Sequence, residues 1–129
     1  MIYVVAGMIF QGDKVLIAQR EKNDLGALKW EFPGGQIEEG ETRIKALERE
    51  LKEELNLECV IGDFYYEHVH EYPDGKVTIY FYKIKDFHGK IKLTAHEEIK
   101  WIFPHDYPNY DFLDADIPVL KKLISEMKN

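Results

Sequence analysis

Glu50, Glu53 and Glu54 stand at i, i+3 and i+4, with Arg49 immediately before them. At about 100° per residue, a helix through this stretch gathers the three carboxylates within a sector of about 100°. Like charges so spaced repel by about a few tenths of a kcal/mol per pair, so helix stability gives no reason to collect them. A hard divalent cation removes the repulsion and takes oxygen ligands of this kind. Arg49 can orient one of the carboxylates or meet a phosphate oxygen. The plain alternative is a solvated face of good helix formers. Pro33-Gly34-Gly35 weighs against it, because bare backbone ahead of a helix can come close to a phosphate or a metal.

These side chains need a helix to carry them and a scaffold to aim it. Ile44, Leu47, Leu51 and Leu55 recur at three- and four-residue steps. That stripe, about 110° round from the acids, predicts a helix over 42–55 with its apolar side inward. Glu39 and Glu41 lie near its N-terminal end, where the dipole favours anions. Upstream, residues 3–10 and 14–19 flank Gln11-Gly12-Asp13 and predict a hairpin. Residues 21–29 read as a loop and 30–32 as a short extended piece stopped by Pro33-Gly34-Gly35. Downstream, 58–66, 67–72 and 76–84 are rich in aromatic and β-branched residues and read as strands. The last two are separated by the turn Pro73-Asp74-Gly75. Residues 101–103 form another short strand. A closing helix over 116–127 takes Pro118 in its first turn and points Val119, Leu120, Leu123 and Ile124 inward. The order predicts one α/β domain over 1–129 with a mixed sheet.

The chain has 129 residues and a formal net charge of -7. An acidic protein without a basic stripe gains nothing from counterion release, which excludes polymeric nucleic acid as the expected partner. A small anionic substrate remains open if cations offset the repulsion. The lone Cys59 allows no internal disulfide and no thiolate metal site, so a cytoplasmic home is expected. No segment reaches membrane-spanning length, and the apolar opening 1–10 lacks a basic start and reads as a strand. His68, His70, His88 and His105 show no zinc spacing, and Ser125, the only serine, sits in the last helix.

Taken together, Gly35, Glu41, Arg49, Glu50, Leu51, Glu53, Glu54, Asn56 and Leu57 resemble the Nudix box. That pattern is Gly, five residues, Glu, seven residues, Arg-Glu, an aliphatic, any residue, Glu-Glu, any residue, Gly, an aliphatic. Asn56 is the one departure, where the family usually has Gly. The position ends the helix with an expected positive φ, which Asn tolerates best after Gly. Trp30-Glu31-Phe32-Pro33-Gly34-Gly35, Tyr72-Pro73-Asp74, Trp101 and Asp114-Ala115-Asp116-Ile117-Pro118 further resemble the MutT-like nucleoside triphosphate pyrophosphohydrolases. That resemblance implies the Nudix fold, a mixed β-sheet sandwiched between α-helices. It also implies hydrolysis of an oxidised or otherwise modified nucleoside triphosphate to monophosphate and pyrophosphate with Mg²⁺ or Mn²⁺.

By the same resemblance, Glu50, Glu53, Glu54 and the Gly34 carbonyl hold metal, Arg49 orients Glu50, Glu41 braces loop against helix, and Glu53 takes a proton from water. MutT-like enzymes often carry a further acid before the last strand. Here that position is Ala95, leaving Glu97 or Glu98 either to substitute or to be ordinary loop charges. For the nucleoside, the resemblance points to Arg20, Phe32, Tyr72 and Asp116. Phe32 and Tyr72 can equally be core aromatics, and Asp116 the cap of the last helix. The expected partner is a small nucleotide, with no membrane, and the chain works as a monomer or homodimer. A Nudix hydrolase of ADP-ribose or dinucleoside polyphosphates is the alternative enzyme. A nucleotide sensor that binds without cutting is the alternative of another class.

Overall fold

Residues 1–127 are described by the structure, a computed structural model. Ile2–Met8 forms β1, and its alternating side chains enter two different cores. Val5 goes to one; Ala6 and Met8 go to the other. β1 is the second strand of a sheet ordered β5-β1-β7-β6, where β5 is Gly34–Gln36, β6 is Glu58–Tyr72 and β7 is Gly75–His88. β1 runs parallel to β7 and antiparallel to β5, so the sheet is mixed, as expected.

A second sheet is built on Lys14–Arg20 (β3), which pairs with Phe10–Gln11 (β2), Trp30–Glu31 (β4) and His96–Ile102 (β8). The expected hairpin of 3–10 with 14–19 is therefore only partly formed. Phe10 and Gln11 pair with Val15 and Lys14, while β1 leaves for the other sheet. The chain changes sheet around Ile9, which is fully buried in the core opposite to that of Met8.

Arg43–Leu55 forms α1 and Ile117–Met127 forms α2. Thr42 is the N-cap of α1, its hydroxyl accepting from the Lys45 N–H at 3.1 Å, rather than its first helical residue. Asn56 closes the helix in the left-handed region at φ 61°, as the sequence predicts. Leu47, Leu51 and Leu55 are buried with Val5, Ile9, Leu16 and Tyr80, while Val119, Leu120 and Leu123 join Phe32, Phe81 and Phe112. The sheets thus lie between the two helices. Ile44 departs from the predicted stripe: it is 45% exposed, and Ala46 is buried instead. It sits in the first turn of α1, where the Arg43 guanidinium lies over Tyr80, 3.6 Å from the ring centroid.

Residues 58–72 make one strand where two were expected. Register shifts between Val60 and Tyr66 bend it without breaking it. Gly62 sits in that stretch, where a Cβ would come within 2.7 Å of the Lys83 carbonyl. β8 is longer than the three residues predicted, and Asp116 ends a short 3₁₀ turn, Asp114–Asp116, just ahead of α2.

Candidate active site

Bare backbone at the start of β5 allows α1 to pack tightly on it. A Cβ on Gly34 would stand 2.0 Å from the Val5 carbonyl oxygen, and one on Gly35 would stand 2.5 Å from the Glu50 carboxylate. Close approach thus explains both glycines. Glu41 then connects the loop to the helix. Its carboxylate accepts from Arg49 Nε at 2.7 Å and Nη2 at 2.8 Å, and from the Glu38 N–H at 2.9 Å. This clamp holds the Glu41 carboxyl down to about 2, mainly through its hydrogen bond to Arg49. Arg49 Nη2 also donates to the Gln36 carbonyl, and Nη1 reaches Glu50 at 3.0 Å and Glu53 at 3.3 Å.

Glu50, Glu53 and Glu54 do share one side of α1, but Glu54 is held apart from the other two. Arg49 lies between Glu50 and Glu53, and Glu54 accepts from the Gly34 N–H at 3.2 Å. Among the described residues no three acidic, His or Cys side chains converge as a ready-made metal cluster. The donor set nevertheless suits a hard cation, because its charges are unfavourable without one. Burial, then Glu31 and Glu50, push Glu54 up to about 8. Burial likewise raises Glu50, against the pull of Arg49. At Gly34 the contact formed is through its N–H.

Glu54, Gly34 and Gly35 form part of the wall of a cavity of about 350 Å³ that is also lined by Glu31, His96, Arg20, Phe32, Tyr72 and Asp116. All four residues predicted to touch the nucleoside therefore line the same space as Glu54. Phe32 is only 3% exposed and packs edge-to-face on Phe81, so it is a core aromatic as well. Tyr72 is 42% exposed at the end of β6. Asp116 is buried, and its Oδ2 accepts from the Phe32 N–H at 3.1 Å. Burial first, then the nearby Glu31, push its carboxyl well above the usual range. Arg20 donates from Nη1 to Glu31 at 3.0 Å and from Nε to the Leu25 carbonyl at 2.6 Å.

Glu97 does not join this group. In the β3–β8 ladder Gln19 faces Glu98 and Arg20 faces His96, which makes Glu97 the extra residue of a bulge. Its carboxylate accepts from the Lys22 N–H at 3.3 Å, and Glu98 is exposed on the strand. Ala95 and His96 line the cavity in their place. Sequence reasoning missed Glu31 and His96. The signal for Glu31 was available, as a lone acid between Trp30 and Phe32 directly before Pro33-Gly34-Gly35.

The profile of the NUDIX domain matches residues 2–123. The chain belongs to the NUDIX family. It is 35% identical over 125 residues to the CTP pyrophosphohydrolase of Escherichia coli K12, covering 97% of this chain and 93% of that protein. It is 29% identical to the 8-oxo-dGTP diphosphatase of Haemophilus influenzae, over all of this chain and 96% of that one. The solution structure of the E. coli ORF135 protein superposes with a TM-score of 0.89 at 34% identity, over 99% of this chain and 91% of that chain. The fold described above is thus the Nudix fold, and the chain is a Nudix hydrolase.

Proposed function

We propose that this Nudix hydrolase cleaves a nucleoside triphosphate bearing cytosine or an oxidised or otherwise modified base to the monophosphate and pyrophosphate, with Mg²⁺ or Mn²⁺. Its role is then to sanitise the nucleotide pool. One observation carries the reading. A single cavity is lined by Glu54 of the carboxylate face, by the bare Gly34-Gly35 backbone and by Phe32, Tyr72 and Asp116. An anionic tail beside Glu54 and a base beside Phe32, Tyr72 and Asp116 would share it, and apolar walls with a few placed polar groups are what a nucleoside site requires. The names of the relatives point the same way.

Glu50, Glu53 and Glu54 are the residues that would hold the cation, with the Gly34 carbonyl as a further oxygen. Bound there, a divalent ion would neutralise the phosphates and acidify a water. Glu53 is the most open of the three acids, its side chain 60% exposed, and is the residue that would accept a proton from an attacking water. Arg49 holds Glu50 and Glu53 in place, and Glu41 holds Arg49. Arg20 and Tyr72 border the nucleoside, and Asp116 reads the edge of the base.

A second reading, hydrolysis of ADP-ribose or a dinucleoside polyphosphate, has the adjoining groove in its favour. That space of about 640 Å³ shares Arg20, Tyr72, Val77 and Leu113 with the first and offers room beyond one nucleoside. The deciding experiment measures pyrophosphate and phosphate release, with and without Mg²⁺. Its substrates are dCTP, 5-methyl-dCTP, CTP, 8-oxo-dGTP, dGTP, dATP, ADP-ribose and a diadenosine polyphosphate. The expected product is pyrophosphate from a cytosine or oxidised-guanine triphosphate. Cleavage of ADP-ribose or the dinucleotide alone would replace this reading with the second. Binding without turnover would make the domain a sensor, which the complete set of Arg49, Glu50, Glu53 and Glu54 argues against.

A further inference from the structure

Glu31 is gripped at both carboxylate oxygens. Arg20 Nη1 donates to Oε1 at 3.0 Å, and His96 Nε2 stands 2.8 Å from Oε2. A carboxylate only accepts, so Nε2 carries a proton in this contact, and Nδ1 is the ring nitrogen left over. That Nδ1 is buried without a hydrogen-bond partner, the one such side-chain nitrogen or oxygen among the described residues. The imidazole as a whole is 2% exposed. A leucine would fill this position without burying an unpaired ring nitrogen, so packing alone does not account for a histidine here. What the ring supplies is a fixed donor to Glu31.

Glu31 lines the cavity that also holds Glu54 and Asp116. Its charge is felt both by Glu54 on the carboxylate face and by Asp116 beside Phe32. Two hydrogen bonds leave the carboxylate further lone pairs with which to meet a ligand. We infer that His96 is a positioning residue that, with Arg20, fixes Glu31 as an acceptor in the cavity and so determines which base edge is preferred. The edge selected is one that presents amino or ring N–H donors. This deepens the nucleotide-binding reading above and rests on it.

Calorimetric binding of dCMP, dGMP and 8-oxo-dGMP to wild type, His96→Leu and His96→Gln tests the inference without requiring turnover. His96→Leu should weaken the preferred nucleotide by about tenfold, the size expected for a hydrogen bond to a charged group, and should flatten the preference. Its melting temperature should change by only a few degrees, because removal of the unpaired Nδ1 offsets loss of the hydrogen bond to Glu31. His96→Gln, whose amide nitrogen reaches about as far as Nε2, should recover most of the affinity. An unchanged preference ratio in folded His96→Leu overturns the inference. So does an equal loss for every base, or a wild type with no base preference. If His96→Leu does not fold, Glu31→Gln, His96→Phe and their double variant form a cycle in which the donor is removed and the ring volume kept, and additive losses overturn it. A wild type that binds with preference but cuts no triphosphate defeats the pyrophosphohydrolase reading alone, leaving the His96 ratios to be judged by themselves.

Discussion

Asp116 shows how far environment can move a residue from its default chemistry. Viewed in isolation it is a carboxylate, which accepts and cannot donate. Buried beside Glu31, with the Phe32 N–H its one hydrogen bond among the described residues, its carboxyl is pushed well above the usual range. When protonated, such an acid offers one donor and one acceptor, the pair an amide would present. The folded state then binds the proton more tightly than the unfolded chain does, so stability falls as pH rises from about 4, the ordinary carboxylate value, through the raised folded one. Asp116→Asn should abolish that part of the slope in melting temperature against pH, and should keep base preference at neutral pH where Asp116→Ala loses it. An Asn variant as impaired as the Ala variant would mean that Asp116 acts in its ionised form.

At the scale of elements, the turn from β4 into β5 is where fold and site meet. Gly34 and Gly35 are neighbours, yet each is required for a different reason. A methyl at Gly34 meets backbone, the Val5 carbonyl in the centre of a sheet, and neither partner can yield. Gly34→Ala should therefore cost stability, about 3 kcal/mol or more by denaturant titration. A methyl at Gly35 meets the end of the Glu50 side chain instead. Gly35→Ala should fold but displace Glu50, lowering kcat by about 100-fold, the typical effect of a misplacement of about 1 Å. If Gly35→Ala is fully active, Glu50 does not need the position it occupies here.

For the molecule as a whole, the three acids of α1, of which Arg49 meets only Glu50 and Glu53, leave part of the folding energy to be supplied by a ligand. Glu54, raised to about 8, is the side chain most in need of it. Mg²⁺ at about 100 times its Kd should stabilise the fold by about 2.7 kcal/mol, read as a rise of several degrees in melting temperature. Chelation should reverse the rise, and Glu54→Gln should blunt it. A melting temperature insensitive to Mg²⁺ and Mn²⁺ would indicate that the carboxylate face binds neither ion.

Much of this was legible in the chain. The spacing of Arg49, Glu50, Glu53 and Glu54 against Leu47, Leu51 and Leu55 specifies a helix with one packed and one acidic side, because helical periodicity is a local property. Gly and Asn at turns and helix ends report backbone geometry just as directly, as Asn56 does. Other features depend on contacts between distant segments. Whether residues 3–10 would pair with β3 or leave for the other sheet was settled by the parallel partner β7, some seventy residues away. Which acid before the last strand would face the cavity depended on a one-residue bulge that turned Glu97 toward Lys22 and His96 toward Glu31. Side-chain direction in a strand has a period of two, so one extra residue exchanges inside for outside. Local sequence thus determined the helix and the chemistry it could carry. Tertiary pairing alone decided which residues share the cavity, because register is set only when the strands meet.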